Sequence, residues 1–241
     1  ELGYNSKYLS HLFKEKMNIS YSEPEQAPVD MNLVKGALKY RHFVLGIIGI
    51  FVYMSIEVGT PTYVNMYLVN TPELGINAAT AGLIVAVYWA LMMVGRFVGA
   101  SIGSKVSSRA MITTVSSATL VLVLFGMFAP TDVTVSVPGI DWANLSVIWA
   151  QVPVGIFAFL LVGLCSSVMW GGIFNMAVEG LGKYTAVASG IFMTMVFGCA
   201  VMLAIQAQVA EMTDYMTSYW VVVFCAVYLL FYALVGSKVK K

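Results

Sequence analysis

The residue best suited to chemistry in this sequence is Glu57, the only charged side chain near the middle of an apolar stretch. An ionised carboxylate at mid-bilayer costs about 2.5–3.5 kcal/mol on insertion scales, so it is expected to face a protein interior or a wet cavity. Gly59 and Pro61 follow directly and allow the helix to bend or break. A broken helix beside a buried acid is typical of transport sites. The pattern predicts a substrate or ion site; the alternative is a protonated Glu57 that makes a helix-packing hydrogen bond.

Polar and aromatic side chains in the apolar stretches add the parts that sugar recognition needs. Planar amides and acids form bidentate hydrogen bonds with hydroxyl groups, and aromatic rings stack on C–H faces. At helical spacing, Tyr53, Thr60 and Val64 share a face with Glu57. For each single residue, ordinary packing or anchoring at the membrane interface is the alternative. The predicted substrate-binding group consists of Glu57, Tyr53, Asn65, Trp89, Trp170, Asn175 and Gln206.

These side chains must be positioned by membrane-spanning helices. Of the 241 residues, 59% are apolar and 10% charged, whereas about 25% charge is usual in a soluble domain, so a water-soluble globular protein is excluded. A bilayer core of about 30 Å needs roughly 20 apolar residues per helix. The sequence predicts an all-α membrane protein with six spans, at residues 43–67, 80–102, 111–129, 147–170, 186–205 and 219–235. Pro138-Gly139 predicts a turn in the longest external connection.

The net charge of +1 hides an asymmetry in where the charges lie. All 13 Lys and Arg residues fall toward one side of the predicted spans. The first, third and fifth connections contain acids but no Lys or Arg; these acids are Glu73, Asp132, Asp141, Glu211 and Asp214. Cytoplasmic loops of membrane proteins carry the excess of Lys and Arg. The sequence therefore predicts that both termini are cytoplasmic.

The sequence lacks the motifs of several alternative classes. It contains no Asn-Pro-Ala tripeptide and no GxSxG, HExxH, CxxC or Walker-type loop. His11 and His42 lie outside the spans or at their edge, and Cys165, Cys199 and Cys225 lack metal-ligand spacing. We therefore expect no enzyme, no metal and no cofactor. Small residues at four-residue spacing predict close helix contacts at Gly95-Gly99-Gly103 and Gly190-Thr194-Gly198.

Six spans with cytoplasmic ends resemble one half of a major facilitator superfamily transporter, itself a 3+3 inverted repeat. The stretch Gly95-Arg96-Phe97-Val98-Gly99, followed by Lys105 and Arg109, resembles the superfamily's cytoplasmic loop between the second and third helices of a half. Two further stretches are similar to the fucose/galactose/glucose:proton symporter family. Residues 53–59 and 65–68 resemble its seventh helix, and residues 169–185 resemble its tenth-to-eleventh-helix connection.

This resemblance implies the C-terminal half of a glucose/galactose-type proton symporter in a bacterial-type inner membrane. The implied partners are a hexose, a proton, the lipid bilayer and an N-terminal six-helix half. Segments one, two, four and five would line the sugar cavity, and three and six would face lipid. Arg96, Lys105 and Arg109 would form a cytoplasmic gate, with a snorkelling anchor as the alternative for Arg96. Two other interpretations stay open: a membrane-embedded structural or regulatory module without transport, and a homodimeric six-helix transporter.

The N-terminal residues form a separate predicted segment. Residues 1–22 resemble a fragment of the helix-turn-helix of arabinose-operon-type regulators, with Lys7 to Lys16 as the reading helix. The fragment lacks the first helix of that motif. We therefore expect a non-functional or chimeric cytoplasmic leader, with an ordinary amphipathic cytoplasmic helix in the linker between transporter halves as the alternative, and we do not expect DNA binding. Residues 23–39, which include Pro24 and Pro28, predict a cytoplasmic linker, and residues 40–241 a six-helix transmembrane domain.

Overall fold

The computed structural model describes residues 30–141, 144 and 146–239. The predicted leader, residues 1–22, lies outside the described residues. The described part of the predicted linker contains one short helix, α1 (Met31–Ala37). The Asp30 carboxylate accepts a hydrogen bond from the backbone N–H of Asn32 at 2.8 Å and thereby caps the start of α1.

The described residues include six helical spans that are long and apolar enough to cross a membrane, as predicted. Numbered first to sixth, they are Arg41–Asn70, Ala78–Ile102, Ser108–Phe128, Val154–Val178, Gly182–Met212 and Thr217–Gly236. Their α-helices are α2 (Arg41–Met54), α3 (Thr60–Asn70), α4 (Ala78–Ile102), α5 (Ser108–Phe128), α6 (Val154–Ser166), α7 (Met169–Val178), α8 (Thr185–Thr194), α9 (Gly198–Met212) and α10 (Trp220–Phe231). Short 3₁₀ turns occupy Pro72–Leu74, Gly182–Tyr184, Met195–Phe197 and Thr217–Tyr219, and a π-helical turn, Tyr232–Gly236, ends the sixth span.

The first span is continuous but contains one widened turn. α2 passes into a π-helical turn, Ser55–Gly59, before α3 begins. Pro61 is the second residue of α3, directly after this turn, and the helix continues through it without a break. A π-helical turn bonds residues five apart, and it therefore rotates everything after it about the helix axis. As a result Thr60 and Val64 are buried in the bundle while Glu57 stays partly exposed, so the predicted face shared with Glu57 is wrong for Thr60 and Val64.

The longest connection forms an antiparallel hairpin that was not predicted. β1 (Thr134–Asp141) pairs with β2 (Ser146–Pro153), and Pro138 and Gly139 lie opposite Trp149 and Ile148. The predicted turn at Pro138-Gly139 is therefore wrong, because both residues lie within a paired strand. The alternation Thr-Val-Ser-Val along β1 carries the period-2 signal of a strand. The fourth span accordingly begins at Val154, after the hairpin, and not at residue 147.

The first and fourth spans form the centre of the bundle. The first contacts the second, fourth, fifth and sixth, and the fourth also packs against the second and third. Ile56 and Phe159 are fully buried in this centre. The sixth span packs against the first and third through one face and exposes Phe224 and Phe231 on the other. The second and fifth spans flank the centre and leave much of their surface uncovered.

Glycines set the close approach between several spans. A Cβ at Gly95 or Gly99 would overlap the fourth span at Ser167 or Val168, and one at Gly198 would overlap the backbone of Phe51 in the first span. These positions confirm the predicted close contacts. The prediction is wrong at Gly190, which has open space around it, and at Gly103, where a Cβ would meet only carbonyls of its own helix.

Candidate functional site

Glu57 pairs with Arg96 across the first and second spans. Glu57 Oε1 lies 3.7 Å from Arg96 Nη2, and the two side chains are 13% and 63% exposed. Arg96 lies about 9 Å along the axis from the end of α4 at Ile102, at a rise of about 1.5 Å per residue. The pair therefore occupies an open face of the bundle inside the apolar length of both spans. Arg96, predicted as a gate residue, therefore contacts Glu57 of the predicted substrate-binding group.

Two buried tyrosines fix the π-helical turn that carries Glu57. The Tyr53 hydroxyl donates to the backbone carbonyl of Ser166 at 3.0 Å and lies beside the Glu57 carboxylate. The Tyr88 hydroxyl lies 3.2 Å from the carbonyl of Ile56 and 3.1 Å from Ser166 Oγ. Both tyrosines are fully buried. Because these bonds tie the turn to the second and fourth spans, the position of the Glu57 carboxylate depends on three helices at once.

Asn65 and Trp89 line one cavity between the first and second spans. The cavity has a volume of about 290 Å³ and is lined by Pro61, Thr62, Asn65, Met66, Val85 and Trp89. Trp89 lies two helical turns from Arg96 on α4, on the same side of that helix. The Trp89 ring meets Tyr88 edge-on, with ring centroids 5.4 Å apart, and remains 46% exposed. An amide and an open aromatic face thus stand on the same side of the bundle as the Glu57–Arg96 pair.

Gln206 lies inside the bundle, away from that cavity. Its side chain is fully buried, and Nε2 lies 3.5 Å from Ser218 Oγ. Its Oε1 packs against Gly59 and has no hydrogen-bond partner among the described residues, and within the same residues the buried hydroxyls of Ser55 and Thr60 also lack one. The π-helical turn and the fifth span therefore enclose a small group of unpartnered oxygen atoms. The structure does not bring Gln206 to Asn65 and Trp89.

The two remaining predicted sugar contacts lie elsewhere. Trp170 stacks on Phe174, with ring centroids 5.8 Å apart, and meets Phe192 edge-on at 5.8 Å. Asn175 lines a cavity of about 450 Å³ together with Arg109, one of the predicted gate residues. Arg109 also donates from Nε to Ser237 Oγ at 3.2 Å, which ties the third span to the end of the sixth. Lys105 lies exposed in the connection between the second and third spans.

The arrangement of the six spans is similar to one half of two solved transporter structures. The chain superposes on a crystal structure of the major facilitator superfamily transporter FucP in the outward conformation, with a TM-score of 0.72 and 19% identity. A variant of the E. coli fucose:proton symporter gives 0.73 and 18%. Each match covers 90% of this chain, and 47% and 48% of the respective solved chains. This chain has the fold of half a major facilitator superfamily transporter.

Sequence comparison agrees with that half-transporter fold. No family model matches the chain. A glucose/galactose transporter of Brucella abortus is 30% identical over 202 residues, which cover 84% of this chain and 44% of the relative. A putative glucose/galactose transporter of Helicobacter pylori is 28% identical over 211 residues, covering 85% and 46%. The predicted resemblance is thus confirmed, and the chain spans less than half the length of these relatives. With six apolar spans among its described residues, the chain is a multi-pass membrane protein, and these relatives are named as transporters.

Three residues that support the site or line its cavity were not predicted from the sequence. Tyr88 and Ser166 hold the π-helical turn, and Thr62 lines the cavity with Asn65. A tyrosine in the middle of an apolar span is a usable signal, because a buried hydroxyl needs a hydrogen-bond partner. The sequence carries no comparable signal for Thr62 or Ser166, since small hydroxyl residues are common in membrane helices.

Proposed function

We propose that this chain is the C-terminal six-helix half of a proton-coupled secondary transporter for glucose- or galactose-type hexoses. It works with an N-terminal six-helix half in a bacterial-type inner membrane, with both termini in the cytoplasm. The half-transporter fold and the names of the relatives support the hexose assignment. The distribution of Lys and Arg supports the orientation.

The Glu57–Arg96 pair carries this proposal. An acid and a base within an apolar length are costly unless they pair or face water, and these two side chains pair at a face of the bundle where Arg96 is exposed. Protonation of Glu57 removes its attraction for Arg96, so a proton and the position of the arginine are linked. The pair therefore supplies a group that can take up a proton and change its contacts when it does so.

The neighbouring cavity supplies the sugar contacts. The Asn65 amide can donate to and accept from adjacent sugar hydroxyls, and the Trp89 ring offers a flat apolar surface for C–H groups. The open surface of the second and fifth spans, where Phe97 and Phe197 are 69% and 68% exposed, is the side at which the N-terminal half closes the cavity. Arg96, Lys105 and Arg109 lie toward the same end of the bundle and form the gate in this proposal.

Co-expression of the two halves tests the proposal. The chain is produced in bacteria that lack glucose and galactose uptake, alone and together with the N-terminal six spans of the Brucella abortus relative. We expect uptake of labelled glucose or galactose only when both halves are present. Uptake by the chain alone would favour a homodimeric transporter. Membrane-inserted, associated halves without any uptake would favour a structural or regulatory module.

Glu57→Gln in the competent pair tests the proton site. The amide keeps the size of the side chain but cannot gain or lose a proton, so we expect uptake to fall about tenfold or more, equivalent to about 1.4 kcal/mol in the barrier. We also expect the residual uptake to lose its dependence on external pH. Glu73→Gln, the same change in an exposed connection, is the matched control and should leave both unchanged. If Glu57→Gln behaves like the control, the assignment of Glu57 fails.

A further inference from the structure

A further cavity, separate from the Glu57 face, lies where three spans end together. The first span begins at Arg41, the fifth begins at Gly182, and the sixth ends at Gly236. The cavity between these ends has a volume of about 440 Å³. Its lining side chains are Lys39, Tyr40, Arg41, His42, Tyr184 and Lys238. None of these residues takes part in the transport site proposed above.

The charge of this cavity is one-sided. Lys39, Arg41 and Lys238 line it, and Lys183 lies beside it with Nζ 5.3 Å from the centroid of the Tyr184 ring. No Asp or Glu side chain lines the cavity, and within the part of the chain that the structure describes no carboxylate pairs with the three lining cations. Three like charges around one concavity repel each other, so a bound anion stabilises them.

The walls of the cavity are held in place by packing. Gly36 of α1 lies so close to the Tyr184 ring that a Cβ there would overlap it. The Tyr40 ring lies 6.0 Å from that of Tyr184 and 5.8 Å from that of His42, centroid to centroid. His42 is 3% exposed, and its Nε2 lies 2.9 Å from the backbone carbonyl of Glu179. Packing between α1 and the first and fifth spans therefore holds the backbone that carries Lys39 and Arg41, whereas Lys238 lies just beyond the end of the sixth span.

The position of the cavity at the span ends and the apolar side chains beside its cations indicate which anion binds there. Span ends mark the limit of the hydrocarbon core, and lipid phosphates lie directly beyond that limit. Apolar side chains flank the cations in the chain: Leu38 precedes Lys39 and is 43% exposed, and Val239 follows Lys238 and is 37% exposed. A free phosphate ion has no apolar group to contact these side chains, whereas the acyl chains of a phospholipid can pack against them. We propose that this cavity binds the phosphate headgroup of an anionic phospholipid, with Lys39, Arg41 and Lys238 as its ligands.

Lipid titration of the purified chain in neutral detergent tests this proposal. Binding of phosphatidylglycerol, phosphatidylcholine and inorganic phosphate is measured by native mass spectrometry and by the shift in melting temperature. We expect phosphatidylglycerol to bind at least about tenfold more tightly than phosphatidylcholine, since each basic residue near an anionic lipid contributes roughly a fivefold factor. Inorganic phosphate at the same concentration should leave the melting temperature unchanged.

Substitutions locate the binding to the cavity. Lys39→Gln, Arg41→Gln and Lys238→Gln should each weaken phosphatidylglycerol binding by about fivefold, and the triple variant should bind it no better than phosphatidylcholine. Lys35→Gln is the matched control, because Lys35 is exposed on α1 and does not line the cavity; its binding should stay within about twofold of the parent chain. If the triple variant fails to fold, the three single variants and the charge-retaining Lys39→Arg decide the question.

Three results would overturn the proposal. The first is equal binding of phosphatidylglycerol and phosphatidylcholine by the parent chain. The second is phosphatidylglycerol binding that the cavity substitutions weaken no more than Lys35→Gln does. The third is displacement of phosphatidylglycerol by an equal concentration of inorganic phosphate, which would assign the cavity to a free anion instead.

Discussion

The first and fifth spans are almost equally apolar, yet the first is buried in the bundle to a much greater extent than the fifth. Their mean hydropathies are 1.9 and 2.1, but 56% of the most apolar stretch of the first is buried, against 22% for the fifth. The first span has four neighbouring spans, whereas the fifth packs mainly against the first. Lipid tails are as apolar as leucine side chains, so hydropathy identifies a span without telling which side has a protein partner. Small residues and buried polar groups carry that information.

Two phenylalanines of the fifth span give the largest expected difference between its packed and open sides. Phe192 is fully buried, and its ring meets Phe174 edge-on at 5.2 Å, whereas Phe197 is 68% exposed. We expect Phe192→Ala to lower the free energy of unfolding by about 3 kcal/mol, because it leaves a cavity among aromatic rings. Phe197→Ala should change it by less than about 0.5 kcal/mol. Thermal unfolding in detergent micelles measures both, and equal effects would show that the fifth span has no packed side.

Substitution of two glycines of the fifth span by a larger residue tests the same difference between its packed and open sides, because it adds volume instead of removing it. Gly198 lies against the backbone of Phe51, and Gly190 has open space around it. We expect Gly198→Leu to cost about 2–3 kcal/mol, because it forces the first and fifth spans apart. Gly190→Leu should be neutral or slightly stabilising, since it also removes a poor helix former. Retention of the monodisperse folded species on size-exclusion chromatography is the readout, and loss of that species for both variants would contradict the open side.

These glycines also show what a sequence pattern can establish. Four-residue spacing predicts which residues share one side of a helix, and it succeeded at Gly95 and Gly99, where α4 is regular and packs along its length. It failed at Gly190 because a 3₁₀ turn, Met195–Phe197, separates Gly190 from Gly198 and changes the rotation between them. The pattern also carries no information about how far along the helix a neighbour extends.

As with the glycine contacts, only part of the candidate site could be predicted from the sequence. Glu57 was identified because it is the lone acid in an apolar stretch. The face of the helix that it occupies depends on the π-helical turn, which no residue type in the sequence predicts. Its pairing with Arg96 joins two spans and is therefore a property of the packed bundle. The hairpin was missed because a short apolar run such as Val147–Ala150 suits a strand and a helix end equally by hydropathy alone.

Gln206 gives a smaller effect and separates packing from transport. Within the part of the chain that the structure describes, its buried Oε1 has no partner, and the only hydrogen bond of its side chain is the long one to Ser218. Gln206→Leu should therefore leave the free energy of unfolding unchanged or raise it by up to about 1 kcal/mol. Gln208→Leu, on the exposed side of the same helix, is the matched control. If Gln206 contacts sugar, as the sequence predicts, uptake by the paired halves falls while the melting temperature does not, and an unchanged uptake assigns the residue to packing alone.

The smallest expected effect lies at Asp214, in the connection between the open fifth span and the packed sixth. Its Oδ1 accepts from the Thr217 N–H at 2.9 Å and its Oδ2 from the Thr217 hydroxyl at 2.6 Å, and the hydroxyl bond is the main reason that the pKa of this carboxyl lies below its usual value. Because the folded chain favours the carboxylate, this contribution is present above the unfolded pKa and is lost as pH falls through the lower, folded pKa. Asp214 is exposed, so solvent screens it, and we expect Asp214→Asn to cost only about 0.5 kcal/mol at neutral pH. Thermal unfolding across an acid titration should show the parent chain and the variant converging below the usual aspartate range. A difference that persists there would mean that the bonds between Asp214 and Thr217 act through hydrogen-bond geometry and not through charge.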